Sequence, residues 1–122
     1  MFKIDSFVLY VEDIETSNKF YTETFECEGL VLSPTFVSFP LGTGVTIELK
    51  QLAQVSPSAN TTGGGTELSL MVEGSKTLRN LYEQWKKKGV KFLQIPTELV
   101  FGLTFVAIDP DGHRIRVFTQ NK

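Results

Sequence analysis

Cysteine and histidine are nearly absent from this sequence: 122 residues hold one of each, Cys27 and His113. A single thiol cannot close an internal disulfide, and it excludes a cysteine-rich zinc site. Cys27 reads as a small, partly buried residue at a helix end, because no histidine lies near it in sequence to activate it. Long apolar runs are missing too. No stretch approaches the roughly 18 to 20 residues needed to span a bilayer, and Met1 to Tyr10 carries Lys3 and Asp5 in place of a secretory signal core. A cytoplasmic protein with no membrane partner is expected. Nor is there an excess of one charge: twelve Lys and Arg against fourteen Asp and Glu leave a net charge of -2. That supplies no basic field for a phosphate backbone, so no nucleic-acid partner is expected. What is present is 41% apolar and 21% charged residues, enough for a core and a solvated surface, which argues against disorder. The length allows one domain, or two small modules sharing a core.

Sliding the first half of the chain onto the second exposes a repeat. At a constant offset of 61, Phe7, Leu9, Val11, Glu12, Phe20 and Tyr21 fall on Leu68, Leu70, Val72, Glu73, Leu81 and Tyr82. At an offset of 68, Gly44, Ile47 and Leu49 fall on Gly112, Ile115 and Val117, the difference being taken up by a longer loop in the second half. Each half opens with alternating apolar residues, Phe2 to Val11 and Thr66 to Glu73, the pattern of a strand with one face on a core. Each strand leads into a helix. Asp13 is placed to cap the first and Gly29 to end it, while Ile14, Phe20, Tyr21 and Phe25 return near whole turns. Ser75 is the candidate cap of the second, in which Leu78, Leu81, Tyr82 and Trp85 form one stripe. Lys86, Lys87 and Lys88 then make a solvated cationic end before Gly89.

Three short strands follow each helix. They are Leu30 to Leu32, Phe36 to Phe39 and Val45 to Lys50 in the first half, and Val90 to Ile95, Leu103 to Ile108 and His113 to Thr119 in the second. Pro96 and the Asp109-Pro110-Asp111-Gly112 turn separate the last three. The fold class is therefore α+β, with βαβββ used twice. Gln51 to Gly65 is rich in Ser, Asn, Thr and Gly and reads as a connector. Its Gly63-Gly64-Gly65 run opens a strand instead of a helix and has no following lysine, so it is read as linker and not as a phosphate loop. His113 reads as a solvent or turn residue.

The βαβββ-βαβββ order, the opening IDSFVLYVEDIETSNKFY and the closing DPDGHRIRVF together resemble the glyoxalase, bleomycin resistance protein and extradiol dioxygenase superfamily, the vicinal oxygen chelate fold. The resemblance covers essentially the whole chain. It implies one domain over residues 1–122, with module 1 at about 1–51, a linker at about 52–65 and module 2 at about 66–122. Curled mixed sheets would surround a central cup. It also implies a homodimer, whose cups are built either within one chain or across two.

Metal-dependent members place ligands on the first and last strand of each module. Carried over by position, these become Ser6, Glu48, Glu67 and Arg116, on strand faces opposite Phe7, Ile47, Leu68 and Ile115. A catalytic divalent ion wants about three protein donors, usually imidazoles and carboxylates, and an open position. A guanidinium has no lone pair to give and sets a positive charge where the cation would sit. No metal and no cofactor are expected. Arg116 is instead the natural partner of a carboxylate, and Arg114, on the same face, could neutralise a second one. The same parity adds Val8, Tyr10, Ser69, Met71 and Phe118 to a ligand-binding face of Ser6, Glu48, Glu67, Arg114 and Arg116. Such a face suits a small hydrophobic or amphipathic organic molecule, sequestered as in bleomycin resistance. The alternatives are a glyoxalase-, lyase- or dioxygenase-like enzyme, with Glu48 or Glu67 as its only visible base, and an assembly module whose cup is filled by its own side chains.

Overall fold

The computed structural model describes residues 1–42 and 44–120. The chain divides into two compact units, Met1–Gly63 and Gly64–Lys122. The first contains β1 (Ser6–Val11), α1 (Ile14–Phe25), β2 (Leu30–Ser33), β3 (Phe36–Pro40) and β4 (Thr46–Gln51), followed by a short 3-10 turn over Leu52–Gln54. The second contains β5 (Glu67–Met71), α2 (Ser75–Lys87), β6 (Lys91–Leu99), β7 (Gly102–Ile108) and β8 (Arg114–Gln120). Each unit is a four-stranded mixed sheet with one helix, in the orders β1-β4-β3-β2 and β5-β8-β7-β6. Among the described residues no helix is long and apolar enough to cross a membrane.

The repeat extends to the register. In the first unit the parallel β1 and β4 pair Ser6 with Thr46 and Val8 with Glu48. In the second, β5 and β8 pair Glu67 with Arg114 and Ser69 with Arg116, the same partners moved by the two offsets. The offset of 68 persists into the antiparallel pairs, where Ser38 faces Glu48 and Val106 faces Arg116. Pairing depends on which face each residue must bury, so two halves with one hydrophobic pattern reach one register.

Both cores lie between helix and sheet. Tyr21, fully buried, meets Phe25 and Phe39 at ring separations of 5.2 and 6.0 Å. In the second unit Leu78 and Trp85 are buried, and Trp85 and Tyr82 stand 5.4 and 5.6 Å from Phe105. Ile47, Leu49, Leu68, Ile115 and Val117 complete these layers. The same strand position ties down each helix start. Ile14 N–H donates to the Gln51 side-chain oxygen at 3.2 Å, and Gly74 N–H to the Thr119 hydroxyl at 3.1 Å.

Several local expectations need correction. The first strand begins at Ser6, not Phe2, because its partner β4 begins at Thr46; Thr46 N–H bonds Asp5 O, and Phe2 and Ile4 are exposed. Phe7, expected on the core side, is 42% exposed near that strand end. Helix α1 ends at Glu26, in the left-handed region at φ 52°, and not at Gly29. Gly29 is instead a packing position: a Cβ there would lie 2.7 Å from Asn18 Oδ1, Phe39 Cζ and Val37 Cγ1. Gly74, at φ 86°, precedes α2, so Ser75 is its first residue and caps nothing. Strand β6 runs through Pro96, which an edge strand with register shifts tolerates. His113 is buried, not solvated: its Nδ1 lies 2.7 Å from Asp109 Oδ2, and its N–H donates to Asp109 Oδ1 at 2.8 Å. Asp111 N–H donates to the same oxygen, so Asp109 organises the whole turn from inside.

Candidate functional site

In the second unit, strand alternation sends Leu68, Ile115 and Val117 toward α2 and leaves Glu67, Ser69, Met71, Arg114, Arg116 and Phe118 on the opposite face. Arg116 Nε donates to Glu67 Oε2 at 2.7 Å, and its Nη1 donates to the Thr104 hydroxyl at 3.1 Å. Thr104, fully buried, donates its own hydroxyl hydrogen bond to Val117 O at 2.8 Å. The guanidinium is thus held from two strands. With side-chain exposures of 20% for Arg116 and 33% for Glu67, the pair is partly withdrawn from water. Beside it Met71 is 60% exposed, and Phe118 meets the exposed Phe101 edge-on at 5.8 Å.

The corresponding face of the first unit carries Ser6, Val8, Tyr10 and Glu48. Val8 sits opposite Glu48 in the parallel register and is 44% exposed. Glu48, half-buried, accepts a 3.4 Å bond from the Thr46 hydroxyl. Lys50, two residues on and hence on the same face, donates to the Thr35 hydroxyl at 3.1 Å and lies 5.6 Å from the Phe36 ring centre.

Of the expected site residues, the structure therefore gathers Glu67, Ser69, Met71, Arg114, Arg116 and Phe118 on one sheet face. It puts Ser6, Val8, Tyr10 and Glu48 on the other sheet. Glu67 and Arg116 form the expected ion pair. Arg114 does not neutralise a carboxylate: its side chain makes no hydrogen bond or ion pair among the described residues. Thr104 and Phe101 were not foreseen. Parity along β7 would have placed Thr104 on this face; Phe101 lies in a turn, where alternation gives no signal.

Residues 3–117 match the Glyoxalase/Bleomycin resistance protein/Dioxygenase superfamily. The chain belongs to that superfamily. It is 32% identical over 113 residues to the phenazine antibiotic resistance protein EhpR of Enterobacter agglomerans, covering 90% of this chain and 86% of that protein. Protein ATC0852 of Agrobacterium tumefaciens, solved by NMR in solution, is 38% identical with a TM-score of 0.89, each chain being covered completely. A glyoxalase-related enzyme from Fulvimarina pelagi shares the fold at 21% identity and a TM-score of 0.86, over 98% of this chain and 89% of that one.

The superfamily's metal chemistry does not suit this donor set. Among the described residues no group of three His, Cys, Asp or Glu side chains is placed to hold an ion. At the superfamily's ligand positions in the second unit, Arg116 has no lone pair and one oxygen of Glu67 is already taken by Arg116 Nε. His113 faces Asp109 inside the turn, away from this face.

Proposed function

We propose that this chain binds a planar aromatic molecule of the phenazine type on the open face of its second sheet and holds it without chemical change, as a resistance protein. The observation that carries this reading is the juxtaposition of a fixed polar pair, Arg116 and Glu67, with an apolar wall of Met71, Phe118 and Phe101. Ring faces contribute about 0.5–1.5 kcal/mol and thioethers about 0.3–1.5 kcal/mol against an aromatic ligand, and the guanidinium can donate to ring nitrogens or oxygen substituents. The name of the relative EhpR supports the ligand class. Holding, more than chemistry, is what the polar groups suit, since Arg116 Nε already occupies one oxygen of Glu67 and the guanidinium beside it is a fixed donor. The homodimer belongs to the same reading. Exposed Leu30, Val31 and Leu32 on edge strand β2, and Leu93 and Ile95 on edge strand β6, support it, and sedimentation would test it.

An NMR titration with phenazine tests the binding. Saturable shifts of the Ser69, Met71, Arg116 and Phe118 amides are expected. Replacing Met71 and Phe118 together by Ala should weaken binding about tenfold, from two contacts of the size given above. Absence of saturable shifts in this face would contradict the reading.

A further inference from the structure

Two features lie side by side on the second unit with no role in the ion pair. Arg114 stands in register with Glu67 at the start of the parallel β5–β8 ladder, exposed, and its side chain has no hydrogen-bond or ionic partner among the described residues. Next to it a cavity of about 340 Å³ is lined by Gly64, Gly65, Thr66, Glu67 and Arg114. That volume falls at the small end of the roughly 300–1,000 Å³ typical of ligand clefts.

The glycines shape this cavity through their backbone. Gly64 and Gly65 have φ of 126° and 74°, conformations that side chains disfavour, and a Cβ on either would meet only open space. Their N–H groups take no acceptor among the described residues. Successive free amides in a turned loop form a concavity that favours anions, and here a planar guanidinium faces the same space. Glu67 is the one negative group in the lining, and its carboxylate is already matched by Arg116 at 2.7 Å. Two guanidinium groups against one carboxylate leave one positive charge unspent, and it is Arg114's.

We infer that Arg114 and the Gly64-Gly65-Thr66 backbone form an oxyanion subsite, taking a carboxylate carried by the aromatic ligand. The glycine run, which reads as linker in the sequence, thereby acquires a binding role with an arginine from β8 in place of the lysine of a phosphate loop. The subsite sits at the β5–β8 entry, along the sheet face from Met71 and Phe118, so the ligand's charged substituent and its rings are read by different groups. The inference rests on the phenazine reading for the ligand, and on the geometry alone for the anion.

Calorimetry with phenazine-1-carboxylic acid and phenazine-1-carboxamide separates the two, because at neutral pH these differ by one charge and little in shape. Wild type should prefer the acid by about tenfold or more, the scale of a charge-assisted bond. In Arg114→Gln the ratio of the two affinities should fall to about one, and Arg114→Lys should restore part of it. Inorganic phosphate, titrated while the Gly64, Gly65 and Thr66 amides are followed by NMR, tests the subsite independently of any phenazine. If both phenazines bind alike and phosphate leaves those amides unmoved, the subsite is wrong while the phenazine reading stands. If neither phenazine binds but phosphate shifts the amides saturably in wild type and not in Arg114→Gln, the subsite holds for a free oxyanion and the phenazine reading falls. If nothing binds, both are overturned.

Discussion

Arg116 reaches diagonally across the sheet to Glu67 while resting on Thr104, and that double attachment makes it a fixed donor instead of a swinging surface charge. Because the pair is only partly buried, its coupling should be modest, about 0.5–1 kcal/mol in a cycle of Glu67→Gln and Arg116→Leu followed by urea unfolding. Coupling indistinguishable from zero would show that the pair does not order the face. Thr104→Val should cost about 1 kcal/mol more, since it removes a buried hydroxyl that both accepts from Arg116 and serves Val117 O. Glu67 and Arg116 were legible because a repeat and a family pattern select the same positions. His113 belongs to the turn, as its neighbours suggest, but its exposure was misread, because the inward carboxylate of Asp109 draws it under the surface.

The two helices show how similar elements can start differently. Asp13 caps α1 by accepting the Thr16 N–H at 3.3 Å, whereas α2 starts from Gly74 with no side-chain cap. Asp13→Ala should therefore cost about 1 kcal/mol and Ser75→Ala less than about 0.5 kcal/mol, measured by thermal or urea unfolding. Equal losses would contradict the assignment of caps. Gly29→Ala should destabilise by about 1–3 kcal/mol, because the added methyl lands on Phe39, Val37 and Asn18. At this scale the element order was almost entirely legible, since alternation and helical stripes report which face is buried. Element ends were not. The start of β1 is set by where β4 stops offering partners, and the length of β6 by its edge position, and neither condition is local to the strand.

Across the whole molecule one βαβββ plan is used twice with one register, and the two copies have diverged in what their open faces carry. The first presents Glu48 with Lys50 and Tyr10; the second presents Arg116 and Glu67 beside Met71 and Phe118. That divergence was legible only as residue types, because which arginine pairs and which stays free depends on reach across strands. On the function proposed above, the second face holds an aromatic molecule without metal and without altering it. The most direct test of that function is equilibrium titration of phenazine into chelator-dialysed protein, with the bound compound then released and weighed by mass spectrometry. Saturable binding, unchanged by added zinc, nickel, manganese or iron, with the compound recovered at its original mass, is the outcome this account expects. Binding that appears only with added metal, or a recovered compound of changed mass, would contradict it.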